Sequence, residues 1–180
     1  MSERSIAIGV ASIGYGEAVN GVVPASYTRL RDIYKGSVAF NFADANQVKI
    51  EVEGREDPLA IINRKGDADS IEFSIPSPTT DELVTFCGGT KNGNKWEAPN
   101  SVETINKAFC IATQPYEGKY VEYTIVNGAV SAKISQAPGS EQTDLLLVKV
   151  TRQSAIAADG SIKPSFIREV KTVTPPTPQD

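Results

Sequence analysis

The chain of 180 residues contains no histidine. That absence removes the commonest general base, the commonest zinc ligand and the side chain that changes charge near neutral pH. Cysteine is almost missing too, and Cys87 and Cys110 alone cannot build a tetrahedral zinc site without other soft ligands. One sits on a helix face and the other in an apolar strand, so both are expected to be small buried thiols, free in a reducing cytoplasm. There is no basic run, and Lys+Arg 18 against Asp+Glu 22 leaves a net charge of −4, which does not support binding to a nucleic-acid backbone. No apolar stretch is long enough to span a bilayer, so no membrane partner is expected. Residues 5–13 are apolar but short, are broken by Gly9, and lack the charged start and cleavage pattern of a secretory signal.

What chemistry remains is thin. Serine or cysteine nucleophiles would need a base that the sequence does not offer. Gly14-Tyr15-Gly16 is too short for a dinucleotide fingerprint, and no strand–turn–helix unit follows it. Asp44, Asp67, Asp69, Asp81 and Glu82 match no calcium-loop spacing and read as turn or capping residues. No catalytic, cofactor or metal residue is therefore assigned, and the chain reads as a non-enzyme.

What is present is a succession of short alternating runs separated by turn residues. Ile71, Phe73 and Ile75 alternate with Glu72 and Ser74, the period of a half-buried strand, and Pro76 stops it. Val38, Phe40 and Phe42 form a similar run, and Val48, Ile50 and Val52 another, each with one wet face. Residues 59–63 begin a further strand. Residues 22–30 are a weaker strand, confined to an edge by Pro24. Asn127-Gly128 predicts a two-residue hairpin turn that sets Ile125 against Val130, Tyr123 against Ala132 and Val121 against Ile134, with Glu122 opposite Lys133. Residues 102–113 supply a strand before it, 144–152 one after it, and 166–172 the last. Because Leu145-Leu146-Leu147-Val148 does not alternate, both faces of its strand are expected to be covered.

A helix is predicted over 79–87. Thr79 and Glu82 have capping-box spacing, Asp81 and Glu82 favour the helix start, and Leu83, Phe86 and Cys87 make one apolar stripe. Gly88 is expected to take the left-handed position after it. The sole tryptophan, Trp96, follows Asn92-Gly93-Asn94 and precedes Pro99, so it reads as a loop residue anchored against the domain or a partner.

The strand 71–75, the capped helix, Gly88-Gly89, Lys95-Trp96-Glu97-Ala98-Pro99, Phe109-Cys110-Ile111-Ala112 and the segment 119–134 together resemble bacteriophage tail tube proteins over about 48–151. The residues read as a mainly β chain, an antiparallel β-sandwich or rolled barrel with one short α-helix, forming a single domain over 1–173. A Pro-rich tail follows over 174–180, expected to be disordered. The resemblance implies hexameric rings stacked head to tail, with the chain itself, tape measure and tail terminator proteins as partners and DNA only as transiting cargo. The expected location is a virion tail, after synthesis in a bacterial cytoplasm. Segments 1–21 and 36–58 are then the parts expected to order or rearrange on stacking. Arg55, Glu56 and Asp57 are expected to project toward a neighbouring subunit, with Trp96 a further assembly residue. A secretion-system tube subunit of the same fold, and a carbohydrate-binding or adhesive β-sandwich using Trp96, are the alternatives.

Overall fold

The structure is a computed structural model describing residues 4–174. All of the expected Pro-rich tail but Thr174 lies outside the described residues. In chain order the elements are β1 (Ile8–Glu17), β2 (Thr28–Arg29), β3 (Ala39–Asn41), β4 (Asn46–Ile50), β5 (Ala60–Arg64), β6 (Ser70–Pro76), α1 (Thr80–Cys87), β7 (Thr90–Asn92), β8 (Lys95–Glu97), β9 (Ile105–Gln114), β10 (Lys119–Gln136), β11 (Leu145–Arg152), β12 (Ala155–Ile156), β13 (Ile162–Lys163) and β14 (Phe166–Thr172). The fold is mainly β with one short helix. Its main antiparallel sheet runs β2-β1-β9-β10-β11-β6-β3, and β14 also pairs with β10.

The sheet is rolled. Laid flat, β9 and β6 would stand three strands apart, about 14 Å, yet the Phe109 and Phe73 rings are 5.9 Å apart. Phe40 of β3 meets Tyr123 of β10 at 5.1 Å across the same curve. Residues 30–38 cross the opening between β1 and β6. The Leu30 N–H donates to the Ile13 carbonyl at 2.8 Å, Tyr34 N–H to Ser74 carbonyl at 2.8 Å, and Ser74 N–H to Ser37 Oγ at 3.0 Å. Ile13, Phe73, Val121, Leu146 and Val148 are wholly buried inside the roll. Helix α1 lays Phe86 over them, 5.2 Å from the Tyr15 ring and 6.2 Å from that of Phe109.

Helix α1 forms as its residues predict. Thr79 Oγ1 accepts from the Glu82 N–H at 3.2 Å, and a Glu82 carboxylate oxygen accepts from the Thr79 N–H at 2.8 Å. Gly88 differs in detail from expectation. Its N–H still closes a helical bond to Val84, and its φ of 76° is paired with a ψ of −160°. This is an extended positive-φ conformation, essentially restricted to glycine, and not the left-handed helical one.

The expected hairpin at Asn127-Gly128 does not exist. β10 runs straight through it from Lys119 to Gln136. Gly128 has no positive φ, and a Cβ there would fall 2.3 Å from Val150 Cγ1, so the glycine serves close approach between strands. A bulge interrupts the pairing with β9 between Ile125 and Gly128. On its other edge β10 changes partner at the same place, from β14 up to Ile125 to β11 from Gly128 onward. Asn127 holds the junction, its side-chain amide donating to the Ser154 carbonyl at 2.9 Å while its own carbonyl accepts from Gln153 N–H at 2.9 Å. The bulge shifts the side-chain phase by one. Ile125 lies opposite Phe109 and Val130 opposite Ile105, so Val121, Tyr123, Ile125, Val130 and Ala132 share the core face that the hairpin would have given them. The Glu122–Lys133 pair is not formed: Glu122 is ion-paired to Lys171, and Lys133 lies opposite Leu147.

Residues 8–17 form an integral strand of the sheet, so the first segment expected to order on stacking already has its middle built into the single chain. Strand 22–30 shrinks to Thr28–Arg29, on the edge as Pro24 required.

Candidate assembly surface

Among the described residues β4 and β5 pair only with each other. They form a hairpin arm between β3 and β6, and all ten of its strand residues are exposed. Val48 lies opposite Ile62 and Ile50 opposite Ala60, so with Val52 they make one apolar face, while Gln47, Lys49 and Glu51 take the other side of β4. The buried half expected of this strand is thus present in the sequence and uncovered in the single chain. Val48, Ile50, Val52 and Ile62 are 38%, 42%, 43% and 47% exposed. Two strands alone are marginal in water, and a contiguous exposed apolar face marks an interaction surface.

The arm is fixed at its base. Asp69, its side chain only 14% exposed, pairs with Arg152 at 2.8 Å. It also accepts from the Ala43 N–H at 3.3 Å, and its carbonyl accepts from the Arg152 N–H at 2.8 Å. At the opposite end the Leu59 N–H donates to the Ile50 carbonyl at 2.7 Å, and Arg55, Glu56 and Asp57 stand in the fully exposed tip. None of the three joins an ion pair among the described residues. Beside the base, Phe40 and Phe42 stack at 5.7 Å, and Phe42 meets Phe166 edge-on at 5.1 Å. These two phenylalanines remain 39% and 45% exposed, extending the apolar surface from the arm onto the body.

Trp96 is elsewhere, and it is not a loop residue. It belongs to the small β7–β8 hairpin, and its indole N–H donates to the Gly88 carbonyl at 2.9 Å, anchoring that hairpin to the end of α1. Its ring lines a groove of about 520 Å³ with Phe86, Pro99, Val102, Ile105 and Ile134. The tip trio and Trp96 therefore do not form one site. Sequence reading missed this groove because Val102, fully exposed, was assigned to the strand that begins at Ile105.

The thiols are half-buried and free. Burial pushes both upward from the usual thiol range, and for Cys110 the nearby Glu122 charge adds to it, so neither has the environment of an activated nucleophile. Among the described residues no group of three acidic or cysteine side chains is placed to hold a metal ion, and no helix is long and apolar enough to cross a membrane. No protein-family model and no curated protein matches this chain.

Proposed function

We propose that this chain is a self-assembling structural subunit of the tail-tube kind, joining further copies of itself through the β4–β5 arm. One observation carries the reading: an amphipathic hairpin, ion-paired at its root, presents an apolar face that the described residues of its own chain leave in water. A face of this kind stabilises a complex when a partner covers it. Contact between an arm and a different surface of the next copy is heterologous, and such contacts generate rings or open filaments. In the tube form of this proposal the rings are hexameric, stack head to tail and pass DNA. A net charge of −4 suits a wall that must not hold phosphate.

The test uses the arm tip. Arg55→Glu with Asp57→Lys is expected to leave the circular dichroism spectrum and melting temperature nearly unchanged, because exposed substitutions usually shift stability within about 0.5 kcal/mol. Sedimentation and negative-stain microscopy should show fewer rings or tubes than for wild type. Wild-type protein that stays monomeric at high concentration, and alongside tail proteins, would defeat the assembly reading. Assembly unaffected by the reversal would remove only the tip trio.

A further inference from the structure

β10 outruns its neighbour. Its pairing with β9 ends where Val130 meets Ile105, while its pairing with β11 continues to Gln136. Along 131–134 one edge of β10 therefore has no strand beside it among the described residues. No backbone hydrogen bond from 99–104 fills the gap. Ser131, Lys133 and Ile134 are exposed there, and the groove of Trp96, Pro99, Val102 and Ile105 lies alongside. An open edge next to an apolar groove has both parts of a strand-addition site: unpaired backbone groups for the ladder and a pocket for alternate side chains.

The same chain carries a strand that fits this edge. β4 has a free edge of its own, since β5 is its only partner, and Val48 and Ile50, with Val52 beyond, supply apolar side chains at every second position. Charge is complementary in both senses. The groove has Glu103 and Lys133 on its lining, and the polar side of β4 offers Lys49 and Glu51. Lys49, Glu51 and Lys133 join no ion pair within the single copy among the described residues. The arm does not serve its own groove. It springs from Ser70, opposite Thr151, whereas Ile134 lies opposite Leu146 and so toward Ile75 at the far end of β6.

We propose that the open edge of β10 at 131–134, with the Trp96 groove, receives β4 of a second copy by strand addition. The proposal rests on the assembly reading and names the acceptor that reading leaves open. Apolar burial of Val48 and Ile50 supplies attraction, the ladder fixes direction, and the Glu51–Lys133 pair on the opposite face fixes register.

Single-cysteine proteins test it, in a Cys87→Ala, Cys110→Ala background that circular dichroism shows to be folded. One preparation carries Ile50→Cys, a second Ile134→Cys on the groove face of β10, and a third Ala158→Cys on an exposed turn. Each pair is mixed and oxidised with diamide, so that any disulfide joins two copies; products are read by non-reducing electrophoresis and peptide mapping, with sedimentation on the same samples. The expected result is a 50–134 link in large excess over 50–158, reduced by Lys133→Glu and recovered when Glu51→Lys is added to the arm. Oligomers that sediment normally without a 50–134 link overturn the acceptor assignment and leave assembly standing. Absence of oligomers in wild type and variants overturns both.

Discussion

β6 and β4 are written in the same pattern and end in opposite environments. Ile71, Phe73 and Ile75 alternate with polar residues and are 1%, 0% and 1% exposed; Val48, Ile50 and Val52 alternate likewise and are 38%, 42% and 43% exposed. The difference lies in their neighbours. β6 has β11 on one edge and β3 on the other, within a sheet rolled over a helix, whereas β4 has only β5. Alternation encodes a demand for cover on one face and says nothing about which chain supplies it. In a subunit that assembles, the strand whose demand is unmet within one copy is where the next copy is expected.

The largest effect that tests this contrast is in the body. Phe73→Ala removes a wholly buried ring packed against Phe86 and Phe109 and should cost about 3–5 kcal/mol of unfolding free energy, measured by denaturant titration. The matching change in the arm, Ile50→Ser, should cost about 1 kcal/mol or less while lowering the sedimenting oligomer fraction. If both variants lose similar stability and the arm variant assembles normally, the arm is merely a core strand with poor cover, and the contrast fails.

Two of the three Asn-Gly dipeptides sharpen it at a second scale. Asn92-Gly93 turns the β7–β8 hairpin, where Asn92 pairs with Lys95, with Gly93 at φ 62° and open space around it. Asn127-Gly128 lies inside a continuous strand. Gly128→Val should cost about 1–3 kcal/mol by overpacking against Val150, an effect of tertiary crowding. Gly93→Ala should cost about 1 kcal/mol through backbone strain alone. A Gly128→Val variant as stable as wild type would mean that Val150 does not crowd this position, and the close-approach account of Gly128 would be wrong.

These cases explain what was legible. The helix was, because capping box, stripe and terminal glycine act within a few residues of each other. Strands β6, β11 and β14 were, because their composition and turn residues are local. The fate of Asn127-Gly128 was not: both a hairpin and a bulged strand put Val121, Tyr123, Ile125, Val130 and Ala132 on one face, and the choice depends on Val150 and on β14, far along the chain. β1 was not, because Gly9 interrupts the apolar run 5–13 and two further glycines follow it. In the fold Gly14 and Gly16 leave room for Tyr27 and Pro24, which cross that face of the strand. Of the residues expected to take part in assembly, the tip trio lies at the exposed end of the β4–β5 hairpin, while the groove beside Trp96 needed the unequal lengths of β9 and β10, which no local pattern records.

Tyr27 stands between the two extremes of cover, and its titration gives the smallest and most specific test. It lies over Gly14 on the outer side of the sheet, partly buried, its hydroxyl enclosed and without a hydrogen-bond partner among the described residues. Burial, followed by the neighbouring Cys110, pushes its pKa from 10.0 up to about 12. A raised acid pKa means that the folded chain holds this proton more tightly than the unfolded chain. The contribution to stability is therefore complete below pH 10 and is lost as pH rises through about 12. The informative quantity is the difference between wild type and Tyr27→Phe across that window, because the rest of the chain is common to both proteins. The variant should lose less stability per pH unit and, freed of an enclosed hydroxyl, should be no less stable near neutrality. Parallel curves for the two proteins would mean that Tyr27 is as open to water as the arm, and that residues 24–27 do not cover the sheet in solution.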